Sequence, residues 1–396
     1  MKLIRKSLTN KALFLFAAMV GVAVIAGIVL NRIGIKSISF NLFLVVLIIA
    51  LFFILILYIL DIVVPVNRLI NEVSNLLTGK NYKRVDPTTI DEVGVMTHFF
   101  NEITKDLEKI SYDIKERRRM SSELDIAAEI QKDVLPKTAP ETPGLDIVAK
   151  TKTASEVGGD IFDFIASPDQ NNLFIYIGDV TGHGVPAGLI MMMADTLMTS
   201  MVYKGDVTGR DLVVNTNCLL GPRISSRLFM TSVVLRWNKK DQKMYYTGAG
   251  HEHVLVYHTK TEKVDAIRSG GIALGMIPDV SKIVQEKEIP LEIGDTIVLY
   301  TDGITEAKNK TGEMYSLERV VESLKKSGYR PSAENILDSL TKDFANFVGE
   351  YVQIDDITMI VIKYLGKDAA TSRVKLTVGT VEQQLEKKSK IWNWTD

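Results

Sequence analysis

At 396 residues with 46% hydrophobic side chains, the chain has material for two or three folded units and enough apolar mass to bury a core. Its 47 basic and 48 acidic residues exclude a generally basic surface, so nucleic acid is not an expected partner. A lone cysteine, Cys218, excludes an intramolecular disulfide, points to a reducing compartment for the bulk of the chain, and reads as a small buried hydrophobe.

The first elements are apolar. Residues 12–30 and 42–60 carry no charge, and each approaches the roughly 20 residues a helix needs to cross a bilayer. Two transmembrane helices are expected within a membrane anchor over 1–61. A signal peptide competes for the first segment, but no small-residue cleavage pattern follows it. Lys2, Arg5, Lys6 and Lys11 precede the first span, and Arg68, Lys80, Lys83 and Arg84 follow the second. The intervening loop, 31–41, holds only Arg32 and Lys36. This distribution puts the amino terminus and everything beyond the second span on the cytoplasmic side of the membrane. The loop is too short to fold as an external sensor.

Beyond Asp61, two amphipathic helical stretches flank a polar connector containing Gly79 and Pro87. Such a pair cannot bury its apolar stripe alone, whereas a parallel homodimer completes a four-helix bundle. Pro65 at the membrane exit, with Asp91, Glu92, Val93 and Gly94 opening the second stretch, resembles a HAMP domain, expected over 62–112. From Met96, the residues Phe100, Ile103, Leu107, Ile110 and Ile114 recur at alternating spacings of four and three, the seam of a coiled coil. The register turns polar at Arg117 and Ser121 and resumes more weakly at Leu124, Ala128, Gln131 and Leu135, giving a linker helix over 113–135. The polar break reads equally as a register switch or as an exposed stretch.

Past Pro143 the pattern becomes a mixed α/β (α+β) one. Strand-like runs LDIVAKT, LFIYIGDV, FMTSVVLRW, KMYYTG, HVLVYH and TIVLYTDG alternate with helical stretches at 185–201 and 209–220. Asp160, Asp179, Asp302 and the pair Asp355–Asp356 stand where an apolar run ends or a glycine relaxes the backbone. Each alone reads first as a solvated turn. Together they offer hard oxygen donors of the kind that paired divalent cations need for phosphoester hydrolysis.

The ordered series EVGGDIFDF, IGDVTGHGVPAGLIMMMA, FMTSVVL, GAGHEHVLV, GIALGM, LYTDGITEA and DDITMIVI, with the preceding ELDIAAEIQKDVLPK, resembles the SpoIIE-like branch of the metal-dependent protein phosphatases over roughly 122–365. The resemblance implies a phosphatase domain over 136–365: a β-sandwich flanked by helices, binding two Mn²⁺ or Mg²⁺ ions. It implies metal ligation by Asp160, Asp179, the Val180 backbone carbonyl, Asp302 and Asp355, the last preferred over Asp356 as the first acid of its pair. The implied nucleophile is a metal-activated water, with no protein nucleophile. Asp163, Asp356, Gly159 and Gly303 are read as supporting residues, Asp163 by holding Asp160 or, equally, as a capping carboxylate. Gly158 and Gly178 read as further points of close approach. His183 and His251 read as structural rather than as general acids. The implied substrate is a phosphorylated protein, an anti-sigma-factor antagonist in a partner-switching pathway, and the implied switch element is the helix at 122–135. A non-enzymatic scaffold is disfavoured because all four acidic positions are filled. A sensor histidine kinase lacks its phosphoacceptor and nucleotide patterns here. The 366–396 tail, with Lys387, Lys388 and Lys390 beside Trp392 and Trp394, suits either lipid headgroups or a disordered end.

Overall fold

The computed structural model describes residues 8–33, 38–87, 91–137, 139–225, 227–350, 352–367 and 377–379. The carboxyl-terminal lysines and tryptophans, and Lys2, Arg5, Lys6 and Lys36, lie outside the described residues. The chain divides into two compact units, Met1–Arg119 and Met120–Asp396.

In the first unit, helices α1 (Leu8–Ile33) and α2 (Ile38–Tyr58) are the apolar elements near the amino terminus. Their side chains turn outward: Phe14 is 74% exposed and Phe52 63%. A π-helical turn, Ile59–Val63, leads into α3 (Val64–Leu77), where Pro65 sits in the first turn and lacks the N–H that regular continuation would use. The long helix α4 covers Glu92–Val134. Its start is capped by Asp91, whose carboxylate accepts from the amides of Val93 and Gly94 at 3.0 and 3.2 Å. Lys11 bridges Asp91 and Asp61 at 2.8 and 3.0 Å. The connector before α4 is pinned by Asn101, whose amide accepts from Val85 N–H at 3.1 Å and donates to Val85 C=O at 2.8 Å.

The second unit is built from two sheets. One has six strands in the order β11–β1–β10–β9–β6–β7, and the other five in the order β2–β3–β4–β5–β8. The six-stranded sheet comprises β1 (Leu145–Lys152), β6 (Val254–His258), β7 (Lys263–Ile267), β9 (Thr296–Tyr300), β10 (Ile357–Tyr364) and β11 (Thr377–Gly379). The five-stranded sheet comprises β2 (Ile161–Ala166), β3 (Asn172–Val180), β4 (Met230–Asn238), β5 (Lys243–Ala249) and β8 (Glu286–Ile289). All named pairings are antiparallel except β1 with β11.

Alternation along the strands separates two cores. Ile147, Ala149, Ile297, Leu299, Ile360 and Ile362 turn to the space between the sheets, where Phe162, Ile175 and Val233 meet them. Val148, Val298, Tyr300, Met359 and Val361 turn the other way. They pack under α7 (Asp302–Thr305), α8 (Ser316–Ser327) and α9 (Ala333–Val348). Helices α5 (Val185–Lys204) and α6 (Gly209–Leu220) cover the outer face of the five-stranded sheet. The architecture is helix–sheet–sheet–helix. Burial on both faces explains why these strands read as near-continuous apolar runs. Helix α5 is long and apolar enough to cross a membrane, but Ile190, Met191, Ala194 and Met198 lie in the domain core.

Thr208 caps α6 reciprocally with Asp211: its hydroxyl accepts from Asp211 N–H at 3.2 Å while the Asp211 carboxylate accepts from Thr208 N–H at 3.0 Å. Thr208→Ala is expected to cost about 1 kcal/mol in a denaturant titration, and an unchanged midpoint would show that the cap carries no load. Cys218 corrects its sequence reading. It is exposed, because α6 buries Leu212, Val213, Thr216, Asn217 and Leu220, which leaves position 218 on the solvent face.

Candidate metal centre

Antiparallel pairing delivers the acids to one end of the sandwich. Asp160 immediately precedes β2 and Asp179 lies near the end of β3, in adjacent strands where Ile161 pairs with Gly178. Asp302 follows β9 while Asp355 and Asp356 precede β10, again in adjacent strands where Tyr300 pairs with Met359. The two sheets are joined at this edge. One carboxylate oxygen of Asp160 accepts from the hydroxyls of Thr301 and Thr358, both of the six-stranded sheet's edge, at 2.8 and 2.6 Å. Asp356 reaches back in return, accepting from the amides of Ala154, Gly159 and Asp160 at 2.7, 2.6 and 3.3 Å.

The acids crowd one another electrostatically. Burial pushes the Asp179 carboxyl up to about 7, and Asp302, Asp355, Asp356 and Glu306 add to the rise by repulsion. Burial raises Asp302 to about 6, with Asp355, Glu306 and Glu252 contributing. Asp160 is held well above the carboxylate range by burial and then by Asp356 and Asp179, against the opposing hydroxyls of Thr358 and Thr301. Among the described residues, no three His, Cys, Asp or Glu side chains are drawn to a single ligating point.

The donor set consists of hard oxygens, which suits Mg²⁺ or Mn²⁺ and not softer ions. Close approach also depends on missing side chains. A Cβ on Gly159 would stand 2.9 Å from the Val180 carbonyl oxygen and cover it. Gly182 and Gly184, at φ of 88° and 77°, turn the chain away from Val180 into α5, a path an L side chain strains against. The two members of the acidic pair differ in what they can offer. Asp356 is buried and saturated by three amides, whereas Asp355 is exposed and its carboxylate accepts only from Asp356 N–H, at 2.8 Å, among the described contacts.

In its described hydrogen bond the Asp163 carboxylate accepts from Phe164 N–H, at 2.7 Å. Asp163 shares a face of the five-stranded sheet with its cross-strand partner Tyr176, beneath α5, where Tyr176 donates to Asp195. Burial, with Asp195 nearby, pushes Asp163 up to about 6. His251 is a tie: its Nδ1 lies 2.8 Å from the Thr231 hydroxyl and its Nε2 3.1 Å from the Tyr300 carbonyl. A carbonyl can only accept, so Nε2 carries the proton and Nδ1 accepts. Burial pushes its pKa down to about 4, and the ring stays neutral. His183 is exposed in the turn before α5. The hydroxyls of Thr301 and Thr358 and the nearby acids Glu252 and Glu306 were not singled out in the sequence, although Thr301 and Glu306 stand inside the LYTDGITEA run.

A pH effect follows. Asp179 and Asp302 bind protons more tightly folded, at about 7 and about 6, than at an unfolded value near 3.9. The stability they contribute is full below about pH 4 and is lost as pH rises through 6 to 7. Between pH 5 and 8 the chelator-treated chain should therefore lose more denaturant resistance than its Asp302→Asn variant. Equal losses would contradict the crowding.

Comparison with known proteins gives a consistent picture. The family model "Stage II sporulation protein E (SpoIIE)" matches residues 169–365. The chain is 30% identical over 208 residues to the phosphoserine phosphatase RsbU of Bacillus subtilis, covering 52% of this chain and 61% of RsbU. It is 27% identical over 300 residues to protein IcfG of Synechocystis, covering 69% of this chain and 46% of IcfG. The chain thus spans less than two thirds of the length of these relatives. The SiaA-PP2C domain of Pseudomonas aeruginosa shares the fold, with a TM-score of 0.53 and 22% identity over 63% of this chain and 97% of that domain.

Proposed function

Because residues 169–365 form a SpoIIE-family phosphatase domain, we propose that the chain is a membrane-anchored, metal-dependent protein serine/threonine phosphatase acting on a phosphorylated signalling protein. The carrying observation is the convergence at Asp179, whose carboxyl feels Asp302, Asp355, Asp356 and Glu306 from the facing sheet edge. Such concentrated negative charge is costly unless cations offset it.

Asp160, Asp179, Asp302 and Asp355, with the Val180 carbonyl, would hold two Mn²⁺ or Mg²⁺ ions. When bound, the ions supply Lewis acidity, lowering the pKa of a water and neutralising phosphoryl charge. The chain's own work is placement. Thr301 and Thr358 fix one oxygen of Asp160, and Asp356 anchors the 159–160 backbone. His251, tied and neutral, braces the edge and takes no part in proton transfer.

RsbU is named a phosphoserine phosphatase, which supports phosphoserine on a partner protein, here an anti-sigma-factor antagonist in a partner-switching pathway. The outward apolar faces of α1 and α2 support two spans in a bacterial inner membrane, with the amino terminus and the phosphatase domain cytoplasmic. Leu107, Ile110 and Ile114 on α4 are 46, 53 and 46% exposed, an apolar stripe that a second copy of the HAMP-like and coiled-coil helices would cover.

The test is release of phosphate from a phosphoserine peptide by the purified full-length chain, with Mn²⁺ and with EDTA. Turnover only with metal is expected. Equal release in both arms would contradict the metal dependence, and no release from this peptide or from a phosphorylated antagonist protein would favour a scaffold instead.

A further inference from the structure

Beside the acid cluster lies a hollow that the proposed chemistry does not use. It has a volume of about 160 Å³, with apolar walls from Met314, Phe344, Val352 and Ile354 and acids from Glu306 and Asp355. Three of its walls are large apolar side chains left in water: Val352 is 77% exposed, Ile354 70% and Met314 50%. Apolar surface gathered beside a polar site marks a contact surface.

The walls are held in place before anything enters. Exposure alternates through 352–354, as in an extended segment. Gln353 is half-buried, its amide donating to the Lys152 and Asp355 carbonyls at 2.9 and 2.8 Å, while Val352 and Ile354 turn outward. Met314 is set by a tight turn after α7. There Asn309 N–H donates to the Glu313 carbonyl at 3.0 Å and Tyr315 N–H to the Ala307 carbonyl at 2.8 Å. The Asn309 Oδ1 accepts from the amides of Thr311 and Glu313, both at 3.0 Å. Walls fixed in this way lose little freedom when a ligand enters.

Size and place select the occupant. A cavity of about 160 Å³ holds one benzene-sized group and falls short of the roughly 300 Å³ or more that a drug-sized ligand fills. It suits a single side chain such as leucine, methionine or phenylalanine. Asp355 lines the hollow, and so does Gly303, which adjoins Asp302 in the chain. A phosphoserine drawn to these acids leaves its first and second neighbours only about 4 and 7 Å along an extended chain, so they are the first residues to meet the hollow.

We propose that this hollow is the specificity pocket of the site, receiving a large apolar side chain one or two positions from the phosphoserine of the partner protein. The inference rests on the metal-dependent phosphatase reading and adds a substrate class to it. Glu306 and Asp355, lining the same pocket, repel an acidic neighbour and sharpen the selection.

The experiment gives the full-length chain, with Mn²⁺, phosphoserine peptides that carry leucine, glycine, aspartate or lysine within two positions of the phosphoserine, and reads kcat/KM for each. Leucine peptides should exceed glycine peptides at least about tenfold, with aspartate peptides poorest. In Val352→Glu the preference for leucine over lysine should fall at least about tenfold. A ratio taken within one variant is indifferent to any general loss of activity. A second reading needs no turnover: a peptide with a photoreactive diazirine leucine at the same position is irradiated on the chain, and crosslinks are expected on Met314, Val352 or Ile354. Metal-dependent turnover with equal kcat/KM for all peptides, an unchanged ratio in Val352→Glu, or the lack of crosslinks at those three residues would overturn the pocket and leave the phosphatase reading standing. A second copy or the chain's own end filling the hollow would give that same lack of crosslinks. No metal-dependent turnover of any peptide or of a small phosphomonoester would overturn both.

Discussion

The Asp179→Asn chain is expected to lose metal-dependent turnover by on the order of a thousandfold, about 4 kcal/mol of transition-state stabilisation, while becoming no less stable without metal. Asparagine keeps the shape of aspartate and removes its charge. Burial and four acidic neighbours push the Asp179 carboxyl up to about 7, so its negative form is a liability to the bare fold. The charge that strains the metal-free site is the one a divalent cation needs. Phosphate release and the melting temperature of the chelator-treated protein should therefore move apart, activity falling and stability holding or rising. Loss of both together would indicate an ordinary folding defect and remove Asp179 from the site.

Gly303→Ala is expected to destabilise the phosphatase unit by about 3 kcal/mol or more, since overpacking of this kind typically costs 1–3 kcal/mol and here neither side can yield. A Cβ at 303 would stand 1.9 Å from the Asp356 carbonyl oxygen and 3.0 Å from its carbon. Both partners are backbone, and the clash lies where α7 starts beside the approach to β10. Relief requires that the Asp302 turn and the Asp355–Asp356 segment move apart, which also opens the acid cluster. A fall in melting temperature of roughly 6–12 °C is the expected reading for a unit of this size. An unchanged melting temperature would show that the two segments are not locked together.

The strands were legible where both faces are apolar: LFIYIGDV, FMTSVVLRW and TIVLYTDG form β3, β4 and β9. Helix α6 covers Gly209–Leu220, matching its sequence reading, and α5 runs on from 201 to Lys204. Strand β2 was harder to see as a strand because the first four of its six residues lie within the glycine- and acid-rich EVGGDIFDF run. Helices α8 and α9 are amphipathic but carry no motif, and nothing drew attention to them. At the site, Asp355 and Asp356 look alike in sequence. The structure separates them by burial and by the amides that only Asp356 accepts. For Asp163 two readings stay open in the sequence, because spacing along a chain does not reveal which face of a strand is turned to a helix. Gln131 looked like a weak position in a coiled-coil seam. Its amide pairs with the backbone of Gly158, 27 residues away, and such a pairing leaves no local pattern.

Anomalous diffraction from Mn²⁺-soaked crystals of the chain would locate the ions themselves. Two Mn²⁺ peaks are expected at the sheet edge, within ligating distance of Asp160, Asp179, Asp302, Asp355 and the Val180 carbonyl. Mn²⁺ bound elsewhere, with these carboxylates left unligated at saturating metal, would contradict it.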